Sequence, residues 1–178
     1  YIRYFNSNNN TEQWYAHLDH QVYGVAISDD GKYVVAGTGP VGETDSNLYL
    51  FDGESGSLTW KTNTATNREI EDLSMSSDGE YIAVGDNKYL HLFDKDSNDP
   101  LWSYDADDPV VGVAISSNGE YIAAIADGEL LLFERDSDDP LWTKELSGSL
   151  REISNRLGNS LSISSDGEYI SVVTSDYL

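Results

Sequence analysis

The sequence predicts an all-β fold made of one repeated four-stranded unit, and three observations carry that expectation. A short stretch recurs four times: residues 25–37 read VAISDDGKYVVAG, 73–85 LSMSSDGEYIAVG, 113–125 VAISSNGEYIAAI and 161–173 LSISSDGEYISVV. The turn glycines of these copies, Gly31, Gly79, Gly119 and Gly167, are spaced 48, 40 and 48 residues apart. The four phenylalanines of the chain, Phe5, Phe51, Phe93 and Phe133, are each followed nine residues later by one of its four tryptophans, Trp14, Trp60, Trp102 and Trp142. A period of this length marks a repeat architecture.

The third repeat shows the unit most plainly. Val110 to Ser116 reads as a short apolar strand, a, and Ser117-Asn118-Gly119-Glu120 as a hairpin turn in which Gly carries positive φ without a Cβ clash. Tyr121 to Ala126 is strand b, Asp127-Gly128 a second turn, and Glu129 to Phe133 strand c. An Asp- and Pro-rich stretch then leads to strand d, Leu141 to Leu146. Strands a, b and c are apolar throughout, as strands covered on both faces are. Strand d (LWTKEL, LWSYDA, LTWKTN) is mixed and charged, as a wet edge is. A four-stranded sheet covered on both faces, with one wet edge and a period of 40–50 residues, is a propeller blade.

The ends of the chain fit the same unit. YIRYFN matches strand c and TEQWYAHL strand d, while Leu161 to Ser164 and Tyr169 to Thr174 match strands a and b. Joined end to start, SDYLYIRYFN parallels GDNKYLHLFD at 85–94. Residues 1–178 therefore read as one repeat domain of four blades, the last completed by strands of 1–18 pairing with those of 160–176. Three closures stay open: a four-bladed ring, a homodimer sharing a larger ring, or an excerpt of a longer propeller. Some closure or capping is required, since an open array exposes apolar blade faces.

Two insertions interrupt the regularity, Thr38 to Asn47 between strands b and c, and Ser147 to Ser160 between strands d and a. In an up-and-down blade these connections share one rim, which makes that rim the expected functional surface. Arg68, Arg151 and Arg156 fall in d–a connections, where they suit an anionic or carboxylate contact or pair with Glu69, Glu71 and Glu152.

Composition bounds the partners. The net charge is −22, from 32 acids against 10 bases. Such a surface repels phosphate backbones and anionic lipid, so neither nucleic acid nor membrane is expected as a partner. The same charge suits either a solvated surface in salty surroundings or attraction of basic partners. There is no cysteine, which removes disulfides and thiolate metal sites. No apolar run reaches the length of a membrane span. The chain opens on Tyr1 rather than Met, which reads as a processed form or an excised piece, and with the acidity this favours an extracellular or cell-surface setting.

At this point the repeat resembles two propeller families. The portion VAISSNGEYIAAIADGELLLFE resembles a WD repeat, with Phe-Asp, Phe-Asp, Phe-Glu and Phe-Asn where that family carries Trp-Asp. The portion NLYLFDGESGSLTWKTN is similar to the blade motif of quinoprotein-like, or PQQ-like, propellers. The first resemblance implies a side-chain network in which Asp45, Asp86, Asp127 and Asp176 stand for the b–c turn acid and His20 for the loop histidine. The second implies, as an alternative, a cofactor or calcium site at the central channel.

Other motifs point to ordinary loops. Gly37-Thr38-Gly39-Pro40-Val41-Gly42 fits G-x-G-x-x-G, yet a strand follows where a dinucleotide site needs a helix. Asp94, Asp96 and Asn98 crowd oxygen ligands as a calcium loop does, but the sixth and twelfth positions hold Asp99 and Asp105 instead of Gly and Glu. Asn9-Asn10-Thr11 is a glycosylation sequon in an exported chain. His17 and His20 lack the further ligands a transition metal requires. The expectation is a non-enzymatic propeller without a cofactor, binding a protein or peptide on the insertion rim through Arg68, Arg151, Arg156, His20 and Asp45. The alternative is a quinoprotein-like enzyme or calcium module.

Overall fold

The computed structural model describes residues 1–39, 46–65, 69–146 and 161–173. All of its regular elements are strands. An N-terminal pair, β1 (Ile2–Asn6) and β2 (Thr11–Ala16), is followed by β3 (Val22–Ile27), β4 (Tyr33–Thr38), β5 (Ser46–Asp52) and β6 (Leu58–Ala65). Next come β7 (Ile70–Met75), β8 (Tyr81–Asp86), β9 (Tyr89–Asp94) and β10 (Trp102–Asp105). The third set is β11 (Val110–Ile115), β12 (Tyr121–Ala126), β13 (Glu129–Glu134) and β14 (Trp142–Glu145), and the chain ends on β15 (Leu161–Ile163) and β16 (Ile170–Val172). Each set of four is an antiparallel sheet in sequential order, and the architecture is that of a β-propeller. No helix among the described residues is long and apolar enough to cross a membrane.

The core lies between blades, because each inner strand is apolar on both pleat faces. Along β12, Ile122, Ala124 and Ala126 join Leu90, Leu92 and Val110 in one buried layer, while Ala123 and Ile125 join Leu161 in the next. That alternation follows from the two-residue period of a strand. Four such layers run through the chain, the outer two formed by β1–β2 against the first blade and by β15–β16 against the third.

The a–b turns repeat atom for atom. In the first, Gly31 N donates to Ser28 O at 2.9 Å and Tyr33 N to Ser28 Oγ at 3.1 Å. Asp30 Oδ1 accepts from Ser28 Oγ at 2.9 Å and from Lys32 N at 3.0 Å. The same bonds recur around Asp78, Asn118 and Asp166, which explains the Ser-x-Asp/Asn-Gly spelling. The turns also link the blades in a relay: Asp29 N donates to Ser77 O at 2.8 Å, Ser77 N to Ser117 O at 3.0 Å, and Ser117 N to Ser165 O at 3.1 Å.

The Phe–Trp spacing has a different basis from a contact within one hairpin. Each Trp meets the Phe of the following blade, with ring centroids 5.9 Å apart for Trp14–Phe51, 6.1 Å for Trp60–Phe93 and 5.6 Å for Trp102–Phe133. Its indole N–H also reaches that blade's c–d turn, at 2.7 Å to Gly53 O, 2.8 Å to Lys95 O and 2.6 Å to Arg135 O. Strand d is wet at its edge but carries the fastener between blades.

Two expectations need correction. Strand a is covered on both faces in β11, yet β3 alternates, with Tyr23, Val25 and Ile27 exposed, since the β1–β2 pair before it supplies only strands c and d and no inner strand lies on that side among the described residues. The turn acids are also not equivalent. Thr38, Asp86 and Ala126 hold the same ladder position, opposite Val22, Ile70 and Val110, so Asp127 lies one residue later, in the turn at φ 48°. Asp45 and Asp176 lie outside the described residues. β1–β2 and β15–β16 stand as separate two-stranded sheets, the two halves of the blade expected from residues 1–18 and 160–176.

Candidate functional site

Backbone bonds divide the connections between two rims. The c–d turns lean on the a–b turns, through Gly53 N to Lys32 O at 2.7 Å, Lys95 N to Glu80 O at 3.0 Å and Arg135 N to Glu120 O at 2.9 Å. On the other rim strand d ends against the b–c turn, through Ala106 N to Lys88 O and Leu146 N to Gly128 O, both 2.9 Å. The b–c and d–a connections therefore share a rim in the second and third blades. The insertions depart from the corresponding points of the first and third blades.

A buried, hydrogen-bonded polar group of this rim belongs to the second blade. Asp86 is fully buried and accepts from Lys88 N at 2.7 Å and Tyr89 N at 2.6 Å, closing the b–c turn. Its second oxygen lies 3.3 Å from His91 Nε2, and His91 Nδ1 lies 2.7 Å from Ser103 Oγ on the edge strand. Ser103 is opposite His91 in the β9–β10 ladder, so the register itself brings the pair together. Carboxylate, imidazole and hydroxyl follow the order of a nucleophilic triad. Here, however, the carboxylate also holds two turn amides, and the network serves to position the turn. Thr38 takes the same role in the first blade, its Oγ1 donating to Asn47 O and accepting from Asn47 N, each at 3.1 Å. The resemblance to WD repeats pointed to Asp86 as a turn acid, but sequence reasoning missed its partners His91 and Ser103. The trace of the network is His91, the one polar residue in an otherwise apolar strand interior.

Around it the rim is acidic and aromatic. Lys88 bridges Asp105 and Asp107, and its bond to Asp105 raises the lysine's pKa and lowers that of Asp105. Burial, with Glu69 and Asp86 nearby, pushes Glu71 up. Burial also raises Asp72, against the lowering effect of hydrogen bonds from the Val113 and Leu73 amides; the Val113 bond, at 2.8 Å, ties β7 to β11. Where β1 starts and β2 ends, Tyr1 and Tyr15 are 70% and 63% exposed. The Tyr1 ring sits 6.3 Å from Tyr15 and 4.7 Å, edge to face, from His17.

Of the residues expected at the site, His20 is half-buried at this rim, and its Nδ1 is buried with no hydrogen-bond partner among the described residues. Arg68, Arg151, Arg156 and Asp45 lie outside the described residues. The calcium candidates occupy the opposite rim. Asp94 Oδ1 accepts from Asp96 N at 2.9 Å, Lys95 Nζ sits 2.9 Å from Asp96 and 3.3 Å from Glu80, and Asn98 Nδ2 reaches Lys61 O at 3.4 Å. These contacts are those of a hairpin loop with an ammonium at its centre. No group of three or more His, Cys, Asp or Glu able to hold a metal occurs among the described residues.

Between the inner strands β3, β7, β11 and β15 runs a cavity of about 250 Å³. Of its lining residues only Ser74 and Ser162 are polar, and none is charged. A quinone tricarboxylate with its calcium ion needs cations and carboxylates on the wall, so these residues do not fit that group.

A family model described as outer membrane protein assembly factor BamB matches residues 44–176, and one described as WD domain, G-beta repeat, matches residues 8–52. No curated protein sequence matches the chain. Among solved structures, one titled "Crystal Structure of Mitotic Checkpoint Complex" superposes with a TM-score of 0.64 at 19% identity, covering 79% of this chain and 43% of that one. "Structure of U3-55K" gives 0.64 at 15% identity, over 75% and 42%. BamB from Moraxella catarrhalis gives 0.61 at 20% identity, over 76% and 40%. The chain thus spans about two fifths of the length of these structures.

Proposed function

This chain belongs to the family described as outer membrane protein assembly factor BamB, and from that premise we propose that it is a non-catalytic propeller module holding a protein or peptide partner on the rim of its b–c and d–a connections. The observation that carries the reading is the exposed cluster of Tyr1, Tyr15 and His17 on this rim. Rigid aromatic side chains supply contact area at little entropic cost and are enriched at binding surfaces. Assembly factors and checkpoint complexes, named in the matched family and in one matched structure, are consistent with a scaffold role. His20 follows the cluster by three residues in sequence, and Arg68, Arg151, Arg156 and Asp45, which belong to d–a and b–c connections of the repeat, are proposed as the polar part of the surface.

The test is a random peptide library selected on the immobilised chain. Selected peptides should lose most of their binding to Tyr15→Ala and to the triple Arg68/Arg151/Arg156→Ala variant, with the melting temperature unchanged. They should keep it with Glu120→Ala on the opposite rim. Equal binding to all three variants would sink the assignment.

A further inference from the structure

The turn between β1 and β2 differs in charge from the c–d turns of the complete blades. Those read DGESGS at 52–57, DKDSND at 94–99 and ERDSDD at 134–139, each with carboxylates at its tip, whereas residues 6–11 read NSNNNT and carry no charge. The same turn holds Asn9-Asn10-Thr11, the one Asn-x-Thr or Asn-x-Ser sequence of the chain, and neither the fold nor the proposed surface uses it. Residues 7–11 are all exposed. That exposure belongs to the position in the repeat. In the complete blades the counterparts of Thr11, six residues past the Phe, are Ser57, Asp99 and Asp139, and all three are exposed as well.

The turn is built by its own asparagines. Asn10 N donates to Asn6 O and Asn8 N to Asn6 Oδ1, both at 2.9 Å, and Asn10 takes the left-handed conformation at φ 54°. Asn9 directs its side-chain carbonyl to Thr11: Oδ1 accepts from Thr11 N at 3.1 Å and from Thr11 Oγ1 at 2.7 Å. Gln13 Nε2 donates to the same hydroxyl oxygen at 2.7 Å, which leaves the hydroxyl proton to Asn9. The Asn9 amide nitrogen has no hydrogen-bond partner among the described residues and is presented to solvent.

We propose that Asn9 is the acceptor of an N-linked glycan, taken by an oligosaccharyltransferase from an oligosaccharide carried on a lipid pyrophosphate. In the transfer Asn9 Nδ2 bonds to the anomeric carbon of the sugar, and the bond from that carbon to the pyrophosphate oxygen breaks. The lipid pyrophosphate leaves, and one proton of Nδ2 passes to a base of the transferase. The donor's chemistry fits the charge of this turn. A pyrophosphate is an anion, which carboxylate-tipped turns repel and an uncharged turn does not. Glu12, the nearest carboxylate in sequence, is paired with Arg3. A hairpin tip also takes a bulky polar group without displacing packed side chains. The c–d turns lie on the rim opposite the proposed binding surface, so a glycan at Asn9 leaves that surface open, and the two proposals stand independently.

The test incubates the folded 178-residue chain with a purified oligosaccharyltransferase and its lipid-linked oligosaccharide, with that enzyme's own acceptor peptide as the control for activity. Intact mass and peptide mapping read the product. One glycan per chain is expected, on Asn9. Asn9→Gln and Thr11→Ala should lose it, while Thr11→Ser, which keeps the hydroxyl, should retain it. Both positions are exposed, so the melting temperature should be the same in every variant. A peptide of residues 6–14, run in parallel, locates a failure. Modification of the peptide alone means that the folded turn refuses the enzyme, and modification of neither means that the sequence does; each outcome overturns the proposal. A glycan on any other residue, or one that persists in Thr11→Ala, overturns it equally.

Discussion

Trp102 and Trp142 occupy the same position in consecutive repeats, yet the first is half-buried on Phe133 with its N–H on Arg135 O, and the second is 42% exposed. Sequence is nearly the same around both (LWSYD and LWTKE), so the difference is made by the neighbouring blade. Stability in this molecule resides in the joints between sheets more than in the sheets themselves. A blade has no interior of its own: its buried side chains are counted in the layers it shares with the blades before and after it.

The largest effect should separate the two regions outright. Phe133→Ala should cost about 3–5 kcal/mol in urea unfolding, as loss of a fully buried ring does, and Phe5→Ala less than about 1 kcal/mol, as at other exposed sites. Equal costs would refute the distinction between filled and open joints. A second contrast lies within one repeat. Gly119 has φ 68°, and a Cβ there would lie 2.3 Å from the Tyr81 ring of the preceding blade, whereas Gly128, at φ 76°, has open space around it. Gly128→Ala should cost about 1–2 kcal/mol from backbone strain alone. Gly119→Ala should cost clearly more, because Tyr81 must also move.

A smaller change sharpens the comparison to one hydrogen bond. Trp102→Phe keeps a ring on Phe133 and removes the N–H to Arg135 O, for an expected loss of about 1 kcal/mol; Trp142→Phe should be neutral. The smallest effects concern pH. Asp72, in the joint between β7 and β11, has a raised pKa, so its charge opposes folding at neutral pH and that cost is relieved as pH falls through its folded value. Relative to the parent chain, Asp72→Asn should therefore gain in stability from acid towards pH 7, on top of a pH-independent loss from the one amide, Val113 N or Leu73 N, that its NH2 can no longer accept from. Asp30 behaves oppositely. The Lys32 side chain and amide and Ser28 Oγ lower it from 3.8 to about 2, so its contribution is present above pH 4 and disappears towards pH 2. Unfolding midpoints between pH 2 and pH 7 for Asp72→Asn and Asp30→Asn should diverge in those directions.

Much of this was legible in the residues. The Ser-x-Asp/Asn-Gly-x-Tyr spelling announces a turn whose hydroxyl and carboxylate bond their own neighbours, and local bonds of that kind do not depend on the rest of the chain. Strands a to d, the Asp127-Gly128 turn and the shared rim of the b–c and d–a connections follow in the same way. The turn-acid alignment went astray because Asp86 and Asp127 are both acids near a turn. Only the ladder, with Ile70 opposite Asp86 and Val110 opposite Ala126, shows that they differ by one residue. The candidate rim was legible as a location, while Tyr1, Tyr15 and His17 were not. Their grouping depends on β1 and β2 pairing from Ile2–Ala16 to Asn6–Thr11.

The sequence by itself determined that the chain is an array of four like units, because period-two patterning, turn chemistry and a Phe–Trp interval repeat with it. What only the tertiary structure decided is to whom each unit is joined. The nine-residue interval could have marked a contact inside one hairpin, and it marks one between successive blades. A side chain's direction across a sheet is a local property, whereas the neighbour it meets there is set by how neighbouring sheets stack around the axis.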